Sequence, residues 1–179
     1  MKRLEINDHE YEVKFDYNFY NRLLEEADAK SKNNEQNKDN DGAINTDGFN
    51  QLLLKLIDRD PQAIVDAYRA AIVGKKRPTR HDIEAALSAN GVWNAKDPFG
   101  DLYKELKNDG FLRLKIQHLL HSMHEDITTS KIALDALLES VGKSKKKEDQ
   151  QAIQEGKNNV IIARKTYEMM KDFLDHLEK

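Results

Sequence analysis

Three groups of residues have the types and spacing to do chemistry. The run Asn37-Lys38-Asp39-Asn40-Asp41-Gly42-Ala43-Ile44-Asn45 follows the first nine positions of a calcium-binding EF loop. Oxygen ligands fall at one, three and five, glycine at six and an apolar residue at eight. The twelfth position should supply a bidentate Glu but is Gly48, and the first is Asn rather than Asp. Losing both carboxylates removes much of the charge that would hold the ion, so no calcium site is expected. His118, His121 and His124 stand three apart, followed by Glu125. On a helix such neighbours drift about 60° per step. Two of them could ligate a metal, but no second ligand cluster completes a site, and a solvated helix flank accounts for them as well. Finally, Lys75 to His81 and Lys143 to Lys147 form basic runs that could touch phosphate. Neither is interleaved with aromatic residues, and lysines in polar loops are usually just solvated.

Catalysis has less support. The chain has no cysteine, which excludes disulfides, thiolate metal sites and thiol nucleophiles. It carries no Gly-rich phosphate loop, no nucleophile elbow and no recognisable pair of catalytic carboxylates. We therefore expect no enzyme, no cofactor and no metal. The 29 basic and 32 acidic side chains leave a net charge of −3, so there is no global positive field for a nucleic acid. No apolar stretch reaches the roughly twenty residues of a membrane span, and no signal peptide is read at the start.

The elements that would position these groups are mostly helical, as three prolines and eight glycines in 179 residues suggest. Residues 4–15 alternate as Leu4, Ile6, then Tyr11, Val13 and Phe15 around an Asn7-Asp8 turn, which predicts a β-hairpin with one buried face. Asp16 is a candidate N-cap for a helix burying Phe19, Tyr20, Leu23, Leu24 and Ala27. Residues 30–48 are almost free of apolar side chains and predict a mobile polar insertion. A short helix follows through Phe49, Leu52, Leu53, Leu56 and Ile57. Asp60-Pro61 then opens a helix with Ile64, Ala67, Tyr68, Ala71 and Ile72 on one stripe, expected to stop at Gly74. Thr79 and Asp82 form a capping box with Asp in place of Glu, and that helix ends at Asn90-Gly91. Asp97-Pro98 repeats the cap-plus-proline device, and Asp109-Gly110 closes the turn.

Beyond this point the pattern changes. Leu112, Ile116, Leu119, Met123, Ile127, Ser130, Leu134, Leu137 and Val141 step by threes and fours. So do Ile153, Gly156, Val160, Ala163, Tyr167, Met170, Leu174 and Leu177. Such stepping is the coiled-coil seam of a helix packed along another. The polar link Gly142 to Lys147 is long enough to reverse direction, so an antiparallel helical hairpin within one chain is expected. Its rival is the same seam joining two or more chains. The predicted fold is mainly α. A small β-hairpin on short helices occupies residues 1–110, and a long C-terminal helical hairpin occupies 111–179.

The order of these pieces resembles a known family. The opening LEINDHEYEVKFDYNFYNRL, the middle GFNQLLLKLIDRDPQAIVDAYRAAI with RPTRHDIEAAL, and the segment DLYKELKNDGFLRLKI look like the tail assembly chaperones of long-tailed phages and prophages of Gram-positive bacteria. The resemblance covers about residues 3–116 and lies in pattern and order rather than in an invariant motif. The insertion at 30–48 and the extension after about residue 117 depart from it. The resemblance implies a non-catalytic protein of the host bacterial cytoplasm that escorts the tape measure protein and helps recruit tail tube subunits. On this reading a partner helix would dock on Leu52, Leu53, Leu56, Ile64, Tyr68 and Ile72, and the C-terminal helices could self-associate. The alternatives are a small regulator or nucleic-acid-binding protein using the basic loops, or a generic oligomerising structural subunit.

Overall fold

A computed structural model describes residues 2–33, 47–74, 77–141, 144 and 146–177. The hairpin is formed by β1 (Lys2–Ile6) and β2 (His9–Val13), antiparallel, with Leu4 opposite Tyr11 and Ile6 opposite His9. Its two-residue turn has Asn7 and Asp8 at φ 49° and 60°, the left-handed pair that matches strand twist and that Asn and Asp tolerate best. Two strands alone are marginal in water. Here Leu4, Ile6 and Val13 are buried, and Asn7 Nδ2 donates to Asp82 Oδ1 at 3.0 Å.

Seven α-helices follow among the described residues: α1 (Tyr17–Asn33), α2 (Gly48–Ile57), α3 (Pro61–Ala71), α4 (Arg80–Ala89), α5 (Pro98–Asn108), α6 (Gly110–Val141) and α7 (Lys147–Leu177), with one 3-10 turn at Val92–Asn94. The short helices start where a side chain can satisfy an orphaned N–H. Asp16 accepts from Phe19 N–H at 3.0 Å, Asp60 from Gln62 N–H at 2.9 Å and Asp97 from Gly100 N–H at 3.2 Å. Thr79 and Asp82 make the reciprocal capping box. Such caps contribute about 1 kcal/mol each.

Some boundaries differ from the sequence reading. Helix α3 ends at Ala71 rather than near Gly74. Ile72 turns extended and bridges Val13, with Lys14 N–H donating to Ala71 O and Val73 N–H to Glu12 O, both at 2.9 Å. Backbone pairing with β2 displaces the last helical turn. The polar segment is helical at both ends, since α1 runs to Asn33 and Asp47 caps α2 from Gly48. The rest of it, 34–46, which includes most of the EF-like pattern, lies outside the described residues. Asp109 opens α6 as well as closing α5, accepting from the N–H groups of Phe111 and Leu112 at 3.0 and 2.9 Å.

The chain divides into two compact units, residues 1–116 and 117–179. In the first, Phe19, Phe49, Leu53, Leu56, Ile64, Ile83, Leu87, Leu106 and Leu112 are among the fully buried side chains. Gly48 is required by packing: a Cβ there would meet Leu23 O of α1 at 2.1 Å. In the second unit α6 and α7 run antiparallel. A Cβ on Gly156 would lie 3.1 Å from Leu134, while the Tyr167 ring lies 5.6 Å from that of His124. Every described seam position of this unit, from Leu119 to Val141 and from Ile153 to Leu174, is buried or half-buried. No helix among the described residues is long and apolar enough to cross a membrane.

Candidate partner-binding surface

The six side chains expected to receive a partner, Leu52, Leu53, Leu56, Ile64, Tyr68 and Ile72, are 0–3% exposed. They lie on α2, on α3 and just past its end, and they fill the core of the first unit. A stripe of apolar residues at helical spacing faces core or partner with equal ease, and here it faces the core.

What reaches the surface is a column of aromatic rings that begins among them. Tyr68 meets Phe15 at 5.8 Å, Phe15 meets Phe19 at 5.3 Å, and Phe19 meets Phe49 at 6.2 Å, all edge-on. Phe49 then meets Tyr20 at 5.9 Å, Tyr20 meets Phe111 at 5.1 Å, and Phe111 meets Tyr17 at 5.0 Å. Edge-to-face pairs of this kind contribute about 0.5–1.5 kcal/mol each beyond their area. The column takes in over half of the chain's aromatic residues and ends in solvent: Tyr17 is 55% exposed. One turn beyond Phe111 on α6, Leu114 is 62% exposed. Tyr17 packs on the Phe111 ring and Leu114 lies three residues further along α6, and tyrosine is among the side chains that most often anchor a protein interface.

A polar cluster holds this end of the column in place. Tyr20 Oη donates to Asp47 Oδ2 at 2.9 Å, and Lys115 Nζ lies 3.2 Å from the same oxygen. The ammonium also sits over the Tyr20 ring, 4.9 Å from its centroid. Asp47 Oδ1 meanwhile caps α2, accepting from Asn50 N–H at 2.8 Å. One carboxylate thus ties together α1, α2 and α6. Burial alone would raise the Asp47 carboxyl, but the Asn50 N–H, the Tyr20 hydroxyl and Lys115 outweigh it and hold the group below the usual carboxylate value. Burial pulls the Lys115 ammonium down, and Tyr20 and Asp47 more than offset it, so its proton is held above the ordinary lysine value. Burial pushes the Tyr20 phenol up.

The other candidate groups are dispersed. His121 pairs with Glu125 at 3.3 Å on an exposed flank, and the His124 ring lies tilted against that of Tyr167. No group of three or more potential metal ligands gathers among the described residues. In the basic loop, Arg77 pairs with Glu26 at 3.2 Å, while Arg80 pairs with Asp66 at 2.9 Å and Glu84 at 3.7 Å. Acidic neighbours therefore blunt the field of Arg77 and Arg80, while Lys75 and Lys76 lie outside the described residues. Sequence reasoning missed the aromatic end of the column because Tyr17 and Phe111 are far apart in the chain. Only the i, i+3 spacing of Tyr17 and Tyr20 was visible.

A family model described as phage tail assembly chaperone protein, TAC, matches residues 3–121. The chain belongs to this family, whose role is non-catalytic and implies interaction with tail proteins. No curated protein and no solved structure matches it.

Proposed function

We propose that this protein binds the tape measure protein and helps recruit tail tube subunits during tail assembly in the host bacterial cytoplasm. Tyr17, exposed and packed on Phe111, and Leu114, exposed one turn further along α6, carry this proposal when taken as one patch, with Asp47 and Lys115 holding the end of the aromatic column in place. A partner's amphipathic helix would lay its apolar face on this patch. The chaperone work falls to residues 1–110 with the first turns of α6, and the rest of 111–179 is an extension. Leu52, Leu53, Leu56, Ile64, Tyr68 and Ile72 serve binding from beneath, by fixing the helices that present the patch.

Co-purification after co-expression with the tape measure protein tests this. The wild-type chain should retain the partner in moderate salt, because apolar docking is not lost steeply with ionic strength as phosphate binding is. Tyr17→Ala with Leu114→Ser should weaken retention by about tenfold or more, the loss of one hot spot. Unchanged retention would remove the patch from the account.

A second reading, self-association through the C-terminal helices, is favoured by Ile161, Ile162 and Met169 on α7 and by Ile132 and Leu138 on α6, all exposed. Ile162 and Met169 lie seven residues apart and so share one face.

A further inference from the structure

We propose that the outer edge of β1 pairs, antiparallel and about a two-fold axis through Leu4, with β1 of a second copy of this chain. The two-residue turn makes Ile6 and His9 a hydrogen-bonded pair, so Lys2, Leu4 and Ile6 spend their backbone groups on β2. The bond from Val73 N–H to Glu12 O and that from Lys14 N–H to Ala71 O confirm the alternation on the far side of β2. By the same alternation the N–H and C=O of Arg3 and Glu5 point away from the hairpin, and no partner meets them among the described residues. Both side chains are exposed.

An open strand edge is a template for another strand. An edge of one charge sign would repel its own copy, but this one carries Arg3 and Glu5 on either side of Leu4. In the two-fold register Arg3 falls opposite Glu5 of the second copy and Glu5 opposite its Arg3. Both are residues with outward backbone groups, so each exchanges two hydrogen bonds with its opposite number. Four hydrogen bonds and two cross-strand ion pairs result, in an isologous contact.

The charges within one hairpin supply an independent reason. Glu5 stands directly opposite Glu10, a like-charge pair that costs stability. Arg3 already serves Glu10 at 2.6 Å, while Lys14 serves Glu12 at 3.1 Å. Glu5 has no cation in its own chain among the described residues, and pairing would bring it the second copy's Arg3.

Sedimentation velocity of the full chain over a range of concentrations tests the pairing. The wild type should show a weak, concentration-dependent dimer. Glu5→Arg sets Arg against Arg at the contact yet relieves the clash with Glu10, so the hairpin stays folded while dimerisation weakens by about tenfold or more. Glu5→Pro removes an outward N–H that β2 does not use and should likewise weaken the dimer. The exchanged pair Arg3→Glu with Glu5→Arg restores complementarity and should recover the association. A chain that is monomeric at every concentration overturns the proposal, as does a dimer that Glu5→Arg and Glu5→Pro leave unchanged. A double variant as weak as Glu5→Arg alone overturns the register.

Discussion

Asp47 carries three contacts on two oxygens, so its substitutions separate charge from shape. Asp47→Asn keeps an acceptor for the α2 cap and loses the charge that Lys115 and Tyr20 address. The variant should be less stable at neutral pH by about 1 kcal/mol. Because the folded carboxyl is held below its unfolded value of 3.8, its stabilisation is complete above that pH and is lost as pH falls through the folded value. The gap between wild type and Asp47→Asn should therefore hold from pH 5 to pH 8 (a range of about three units) and close below about pH 3.8 in chemical denaturation. Lys115 is held above its ordinary 10.5, so its contribution is complete below that pH and goes only as pH rises past its folded value. Gly48 is the second sensitive residue. Gly48→Ala should cost about 1–3 kcal/mol, since the clash is with backbone that cannot rotate away. An unchanged melting midpoint would contradict the close approach of α1 and α2. Neither residue's role could be read from sequence. Asp47 sits in a run of polar residues with several Asp able to cap, and Gly48 falls at the failed twelfth position of an ion-binding pattern.

The elements themselves were written more plainly. Period-two alternation around Asn7-Asp8 and the cap residues Asp16, Asp60, Thr79 and Asp97 are local signals, and local physics suffices to read them. At the end of α3 a long-range contact moved the boundary: Ile72 leaves the helix because β2 offers its backbone a partner. The heptad stepping of α6 and α7 was legible for the same reason that it works, since one face must stay covered along the whole length. Tyr167 nonetheless meets His124, which the stepping had placed on a flank. The seam gives a graded prediction. Met170, 1% exposed, should cost about 2–4 kcal/mol as Met170→Ala, and Met170→Asp should cost more by leaving an unpaired charge between helices. Lys171→Ala, next along the chain but exposed, should stay within about half a kcal/mol. If Met170→Asp melts the C-terminal helices without altering mass, the seam lies inside one chain. Dissociation of an oligomer into well-folded monomers would place it between chains.

At the scale of the whole molecule, the apolar side chains of the first compact unit divide between two tasks. Those on α2 and α3 build a core, and a smaller set at Tyr17 and Leu114 is left in solvent on rigid helices. Sequence spacing could nominate both sets but could not rank them, because exposure is decided by which helices meet. That is why the family and its element order were legible while the exposed end of the aromatic column was not. On the proposed function, the full chain should keep its partner in solution through the patch rather than through the core. The most direct measurement is the soluble fraction of the tape measure protein expressed alone, with the wild-type chain, and with the Tyr17→Ala Leu114→Ser variant. The account predicts that the wild type raises the soluble fraction several-fold and that the variant, equally well folded, raises it little. A tape measure protein whose solubility is indifferent to the wild-type chain would contradict the chaperone reading.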